Sequence, residues 1–520
     1  MKRVLTLGVI GIVIFASCSK KNDGGTTPDV ISPSKTGSAL DLMRDSVFLY
    51  AKEAYYWNDG LPDYATFKPR TFTGTNDLDA LTKEVNKISQ YKINPATGKA
   101  YEYVNAGGEA KYSFIDAGET STELGGTQGD FGFAPQYFSS ADDLRIKYVY
   151  PGSPAGLADI KRGYKVISIN GNSDFSYDNG GPRTQFVVNA FYYSNSIALL
   201  LERPDGTRFN VTLSTGRYTT NPVLTFKVFD TGNGHKVGYI VFNTFTSDEN
   251  ARPKLDQAFN YFSGNGVTDL VVDLRYNGGG FVSTAEYLCN LIVPASKNNT
   301  LMYKTYYNST LMAGKASLLA NQVRRDPDTK EVYNYAQLLN YLVVHNTENF
   351  SKAGALNNVS KVCFIVGGGT ASASELVINN IRGLRSSVDV KLIGSTTYGK
   401  PVGFFDIVIN KYEMYIPEFE TKNSLNEGGY YTGMTPGTVD YPGIVDGDDL
   451  AHDFGDANEK LLKHALDYIQ LGTFSIAAKQ QIQGVGSKAM FSAQQSAAAA
   501  QALDGGRFNG MIFDKPLKRK

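Results

Sequence analysis

Residues 390–409 read VKLIGSTTYGKPVGFFDIVI, and the continuation after Lys400 decides the fold. Gly394 and Gly399 flank four residues and Lys400 follows, one letter short of the phosphate-cradling pattern G-x-x-x-x-G-K-[ST]. A phosphate loop hands the chain to a helix whose N-terminus faces the anion. Here Pro401 stands where the Mg²⁺-binding hydroxyl belongs, and Pro401 with Gly403 opposes a helix. Phe405, Ile407 and Ile409 then alternate with Asp406, Val408 and Asn410 at strand period. The stretch is strand, turn, strand, and the nucleotide reading is rejected. A lysine at the end of a buried strand has another use. Desolvation lowers its pKa by several units, and a neutral amine beside a hydroxyl is a general base.

Working outward, the apolar runs KVGYIVFNTF (236–245), VTDLVVDLRYN (267–277) and KVCFIVGGG (361–369) read as strands buried on both faces. Helical runs lie between them, at 249–266 and 373–384. Strands alternating with helices predict a parallel α/β core over residues 218–470. Two of these strands end in glycines. Gly278, Gly279 and Gly280 lack Cβ atoms, so their amides can approach a ligand closely at a strand end. After Gly367, Gly368 and Gly369 comes TASASEL, where Ser372 and Glu375 fit the S-x-x-E capping box of a helix start. The same geometry serves chemistry. A serine at a helix N-terminus lies beside unpaired N–H groups that favour an oxyanion, but its hydroxyl needs a base to become a nucleophile.

Before this core, residues 38–124 read as a small helical domain, a packing or dimerisation element. Residues 125–217 turn to short strands broken by Gly and Pro, with Pro204, Asp205 and Gly206 marking a hairpin. Residues 298–358 form a polar insertion, expected to be a helical lid. Residues 471–520 are an Ala/Gln-rich extension with no assigned role. Lys+Arg and Asp+Glu balance at 51 each, which removes the electrostatic case for nucleic acid. Cys289 and Cys363 lie in apolar runs, where a disulfide between them stays open. The four histidines are scattered, so neither metal nor cofactor is implied. At the start, Lys2 and Arg3 precede an apolar run too short to span a bilayer, ending IFASC at Cys18.

IFASC resembles a bacterial lipobox, which implies a lipoprotein signal over residues 1–17, lipidation of Cys18 and a flexible tether over 18–37. The resemblance implies a place in the bacterial cell envelope, as an outer or inner membrane lipoprotein facing the periplasm or the cell surface. Residues 148–171, YVYPGSPAGLADIKRGYKVISING, resemble a PDZ domain, although Tyr164 replaces the usual Asp. The resemblance implies a carboxylate-binding loop at Phe131, Gly132 and Phe133. DLRYNGGG, GGTASASEL and STTYGKP, in this order after the PDZ-like segment, resemble the C-terminal (tail-specific) processing peptidases. So do GMTP at 433–436 and AHDFGDANEKLLKHALDYI at 451–469. The resemblance covers most of residues 125–470. It implies a multidomain α/β protein with a helical N-terminal domain, a PDZ-like β domain and a crotonase-like serine protease domain. Ser372 would be the nucleophile and Lys400 the base. The amide of Ala373 with Gly279 or Gly280 would form the oxyanion hole. The implied substrates are polypeptides with flexible C-terminal tails, with a homo-oligomer as an open alternative. Phe404 stands where the family often has the Gln or Glu that orients the lysine. That departure keeps a second reading alive, a hydrolytically inactive peptide-binding protein of the same fold.

Overall fold

A computed structural model describes residues 34–104, 106–232, 234–325, 330–336, 340–474, 491, 493–503 and 510–514. The lipobox with Cys18, and most of the tether, lie outside the described residues. A six-stranded sheet forms the centre, in the order Val223–Asp230, Lys236–Phe242, Asp269–Asp273, Lys361–Val366, Asp389–Gly394, Gly443–Val445. The first pair is antiparallel and the rest are parallel. Apolar side chains cover both faces, as the continuous runs require. Leu270, Val272 and Phe364 pack in one core with residues of the helices Asp248–Gly264, Val282–Ile292 and Ala373–Arg382. Val271, Cys363, Ile365 and Ile393 face the helix Lys460–Leu471. Cys289 belongs to the first cluster and Cys363 to the second, and both are free thiols, so the sheet separates them.

The N-terminal helices Ala39–Ala54 and Asp77–Ser89 form where apolar spacing and caps place them, with Ser38 and Asn76 accepting the first N–H groups. They do not build a separate core. Val47, Phe48, Val85 and Ile88 share one cluster with Ile240 and Val272 of the central sheet. The strand Phe114–Asp116 pairs with Tyr412–Tyr415. This part of the chain is a layer fused to the large unit.

The small β domain has five antiparallel strands in the order Phe133–Tyr137, Leu144–Val149, Lys165–Ile169, Ser196–Glu202, Arg208–Ser214. The helix Pro182–Tyr192 packs against it, and its core is separate from that of the large unit. Gly206, at φ 83°, closes the foreseen hairpin with its N–H on Arg203 O. The insertion departs from the helical lid. Leu301–Tyr307 is a strand paired with Phe419–Asn423 on one side and Thr347–Asn349 on the other, and Val323–Arg325 pairs with Val332–Asn334. Tyr303, Thr305 and Tyr307 are buried at strand period, and aromatic and β-branched residues favour a pleated, half-buried surface.

A buried ion cluster joins the units. Arg275 bonds Asp273 (2.7 Å), Asp448 (2.8 Å) and Glu459 (2.7 Å). Arg162, from the small β domain, reaches Asp448 (2.8 Å) and the Tyr276 hydroxyl (2.6 Å). Arg275→Met strips this cluster of a cation while its carboxylates stay buried. The expected cost is about 3 kcal/mol, read as a lower midpoint in urea unfolding.

Candidate active site

Three loops leave the C-terminal ends of neighbouring parallel strands and meet. The first follows Asp269–Asp273 into the glycine strand Gly279–Phe281. Gly279 and Gly280 hold φ of 113° and 136°, which side-chain-bearing residues rarely adopt. Asn277 fastens this loop. Its Nδ2 donates to Phe242 O (2.9 Å), its Oδ1 accepts from Gly279 N (2.9 Å), and its carbonyl accepts from Ala371 N (3.0 Å) and Ser374 Oγ (2.9 Å). Asn277 does not stand out in the sequence, where only its place before GGG marks it. A Cβ built on Gly279 would lie 3.1 Å from Ala373 N, which brings two of the three expected oxyanion groups side by side.

The second loop carries Ser372, fully buried at the N-terminus of the helix Ala373–Arg382. Its backbone sits at φ 57°, ψ −105°, outside the favoured regions, a strain that clusters at functional sites. Its Oγ has no hydrogen-bond partner among the described residues. Half of the foreseen capping box forms, with Ser372 N donating to Glu375 Oε2 at 2.8 Å. Ala373, the first helical residue, has no intrahelical acceptor for its N–H.

Glu375 ties this loop to the third. The Oε2 atom that holds Ser372 N also accepts from Lys400 N at 2.8 Å. Oε1 accepts from Gly399 N (2.7 Å) and Thr397 Oγ1 (2.5 Å). Burial pushes the Glu375 carboxyl up, and these bonds oppose the rise. Gly399, at φ 85°, lies so close to Tyr431 and Gly433 that a Cβ would meet Gly433 N at 2.5 Å, which explains the GMTP stretch. Glu375→Gln turns an acceptor into a donor facing two N–H groups. We expect roughly 1–3 kcal/mol of destabilisation in thermal or urea unfolding.

Lys400 is fully buried. Burial holds its amine well below the usual lysine range, Glu102, Glu375 and Glu418 pull it partly back, and Lys111 adds to the lowering. The amine lies 3.8 Å from the centre of the Phe404 ring and 5.5 Å from that of Tyr112. Phe404 therefore supplies an aromatic face where the family pattern often has an amide or a carboxylate. Tyr112 and Lys111 come from the N-terminal layer. Tyr112 Oη donates to Gly399 O (2.5 Å), and Lys111 Nζ to Gly399 O (3.2 Å) and Tyr431 O (2.9 Å). Glu102 accepts from Tyr55 Oη, Tyr112 N and Ser113 N, and burial pushes its carboxyl up. None of these N-terminal groups stands out in the sequence, because nothing local marks a residue that packs nearly three hundred positions away.

The loop at Phe131, Gly132 and Phe133 belongs to the core of the small β domain, apart from Ser372 and Lys400. Its Gly132 N–H already donates to Asp130 Oδ1 (2.8 Å), which also accepts from Tyr218 Oη (2.8 Å). Among the described residues no group of His, Cys, Asp and Glu could hold a metal, and no helix is long and apolar enough to cross a membrane.

Residues 236–414, which contain all three loops, match the model of peptidase family S41. The likeness to that family is thus centred on the loops that carry Ser372, Lys400 and the glycines. A carboxy-terminal processing protease of Bacillus subtilis is 27% identical over 270 residues, 52% of this chain and 47% of that protein. A carboxyl-terminal-processing protease of Picosynechococcus is 27% identical over 175 residues, 33% of this chain and 39% of that protein. The chain thus spans half or less of the length of these curated relatives. The crystal structure of a candidate S41 protease from Bacteroides fragilis superposes with a TM-score of 0.53 at 23% identity, covering 82% of this chain and 97% of that one. The two share the fold.

Proposed function

We propose that this protein is a serine endopeptidase of the C-terminal processing type, with Ser372 as nucleophile and Lys400 as general base. One observation carries the reading. A strained, buried serine whose hydroxyl has no partner among the described residues and a desolvated lysine have their main-chain N–H groups on the same oxygen of Glu375. Ser372 Oγ attacks a backbone carbonyl carbon and its proton passes to Lys400 Nζ. In this reading the N–H groups of Ala373 and Gly280 hold the oxyanion, since the Gly279 N–H is committed to Asn277. The tetrahedral carbon then expels the amine, which takes the proton back from Lys400, and water hydrolyses the acyl ester. The small β domain is PDZ-like in this reading and captures a flexible apolar tail by strand addition. The lipobox stretch at Cys18 anchors the protein in the cell envelope.

The test is digestion of an unfolded protein bearing an apolar C-terminal tail, paired with labelling of the chain by a fluorophosphonate. Cleavage and labelling that both vanish in Ser372→Ala support the proposal. Cleavage by the Ser372→Ala and Lys400→Ala chains equal to that of the unmodified chain would refute the assignment of both residues.

A further inference from the structure

The end of the chain returns to the site. Gly510–Ile512 forms a strand parallel to the glycine strand, pairing Gly510 with Gly279, Met511 with Gly280 and Ile512 with Phe281. Gly510 N donates to Gly278 O at 3.0 Å. On its other edge, Phe404 N donates to Met511 O (2.9 Å) and Phe513 N to Phe404 O (2.7 Å). The segment is therefore a middle strand, held between the glycines on one side and the residues after Lys400 on the other. Met511 is fully buried and would touch any side chain added at Gly403. Asp514 closes the seat at the N-terminus of the helix Val282–Ile292, accepting from Ser283 N (3.1 Å) and Ser283 Oγ (2.6 Å). The Gly510 carbonyl oxygen is the nearest atom to a Cβ placed on Gly279, at 2.1 Å, with Ala373 N also close at 3.1 Å.

A second part of the same tail covers the small β domain. The helix Ala493–Ala502 lies against the strand Phe133–Tyr137. Ala499 and Leu503 are fully buried in that domain's core with Phe133, Tyr137 and Phe191. Tyr192 Oη, at the end of the helix Pro182–Tyr192, donates to Leu503 O (2.9 Å). The tail thus occupies the space between the first strand and the helix of this domain.

We propose that residues 493–503 and 510–514 are an internal occupant of the peptide-binding surfaces, and that the protein is held latent until this tail is displaced. The inference rests on the peptidase reading for its consequence, but not for its contacts. The slot between the glycine strand and Phe404 takes an extended polypeptide through main-chain bonds on both edges, with one buried apolar side chain. A tethered segment acts at an effective concentration of about 1 mM, so a segment with Kd of about 0.1 mM leaves roughly a tenth of the molecules open.

The test uses the full chain. Phe513→Pro and Gly510→Pro each delete one main-chain bond to the slot, and Met511→Asp places a carboxylate in its dry pocket. A fluorescein-labelled peptide with the sequence of residues 505–516 is titrated against each variant in a Ser372→Ala background, and protein digestion is measured in the Ser372 background. Peptide binding about tenfold tighter than to the unmodified tail, with digestion about tenfold faster, supports the inference. Equal binding by all chains, or slower digestion by variants with unchanged circular dichroism, overturns it. Should Met511→Asp fail to fold, the two proline variants decide. Peptide captured only by the tail variants, with no protein cut by any chain, keeps the tail inference and sinks the peptidase reading. Equal cutting and equal capture by all chains does the reverse.

Discussion

Ser372→Ala is expected to lower hydrolysis of an unfolded protein by about 10⁴-fold or more, because no other group in the proposed mechanism forms the acyl ester. Ser372→Gly is expected to be equally inactive yet more stable. Glycine relieves a backbone held at φ 57°, ψ −105°, a strain of about 1–3 kcal/mol. It also removes a buried hydroxyl without a partner among the described residues. Against this, glycine gives up about 0.5–1 kcal/mol through the unfolded chain. The balance is a gain of roughly 1 kcal/mol, read as a higher urea midpoint. A loss of stability in Ser372→Gly would mean that the strain is not a cost of placing the nucleophile.

Lys400→Met is expected to lower the rate by about 10³-fold, within the usual range for loss of a general base. The two chains should also differ in how stability depends on pH. Burial lowers the folded-state pKa of Lys400. Between that value and the ordinary lysine pKa of about 10.4, the unfolded chain binds a proton that the folded chain does not. Stability attributable to this group therefore rises with pH across that window. Methionine removes the penalty, so the variant is more stable than the parent at neutral pH, and the difference fades above about pH 10.4. In the parent, kcat/KM rises as pH climbs through the lowered lysine pKa. A parent profile flat down to acid pH would remove Lys400 as the base.

How far the sequence carried follows from how local each signal was. The Lys236–Phe242, Asp269–Asp273, Lys361–Val366 and Asp389–Gly394 strands are continuous apolar runs, and they form the parallel core as read. Pro401 and the strand period after it rejected the phosphate loop, and a strand at Ile407–Ile409 follows Lys400 in the structure. Ser372, Ala373, Gly279 and Lys400 all follow the C-terminal ends of neighbouring parallel strands of that sheet. The insertion misled because Leu, Tyr and Asn at mixed spacing serve helix and strand alike, and cross-strand partners such as Thr421 lie far off in sequence. The tail stayed unassigned for a different reason. Gly510, Met511 and Ile512 are too few to show a period, and their pairing with the glycine strand is set by edges more than two hundred residues upstream. Phe404 looked like a missing partner for the lysine, and its role as an aromatic floor needed coordinates.

The aromatic and acidic surroundings of the Lys400 amine are supplied in part by Tyr112 and Glu102, outside the family-matched residues 236–414. A fragment confined to the matched residues keeps the serine, the lysine and the glycines but loses that wall. Water then reaches the amine, which stays an ammonium at neutral pH. In such a fragment the serine, the lysine and the glycines are all present and the proposed base is switched off, so in the proposed mechanism the lysine works as a base only where Tyr112 and Glu102 of the N-terminal layer are folded against it.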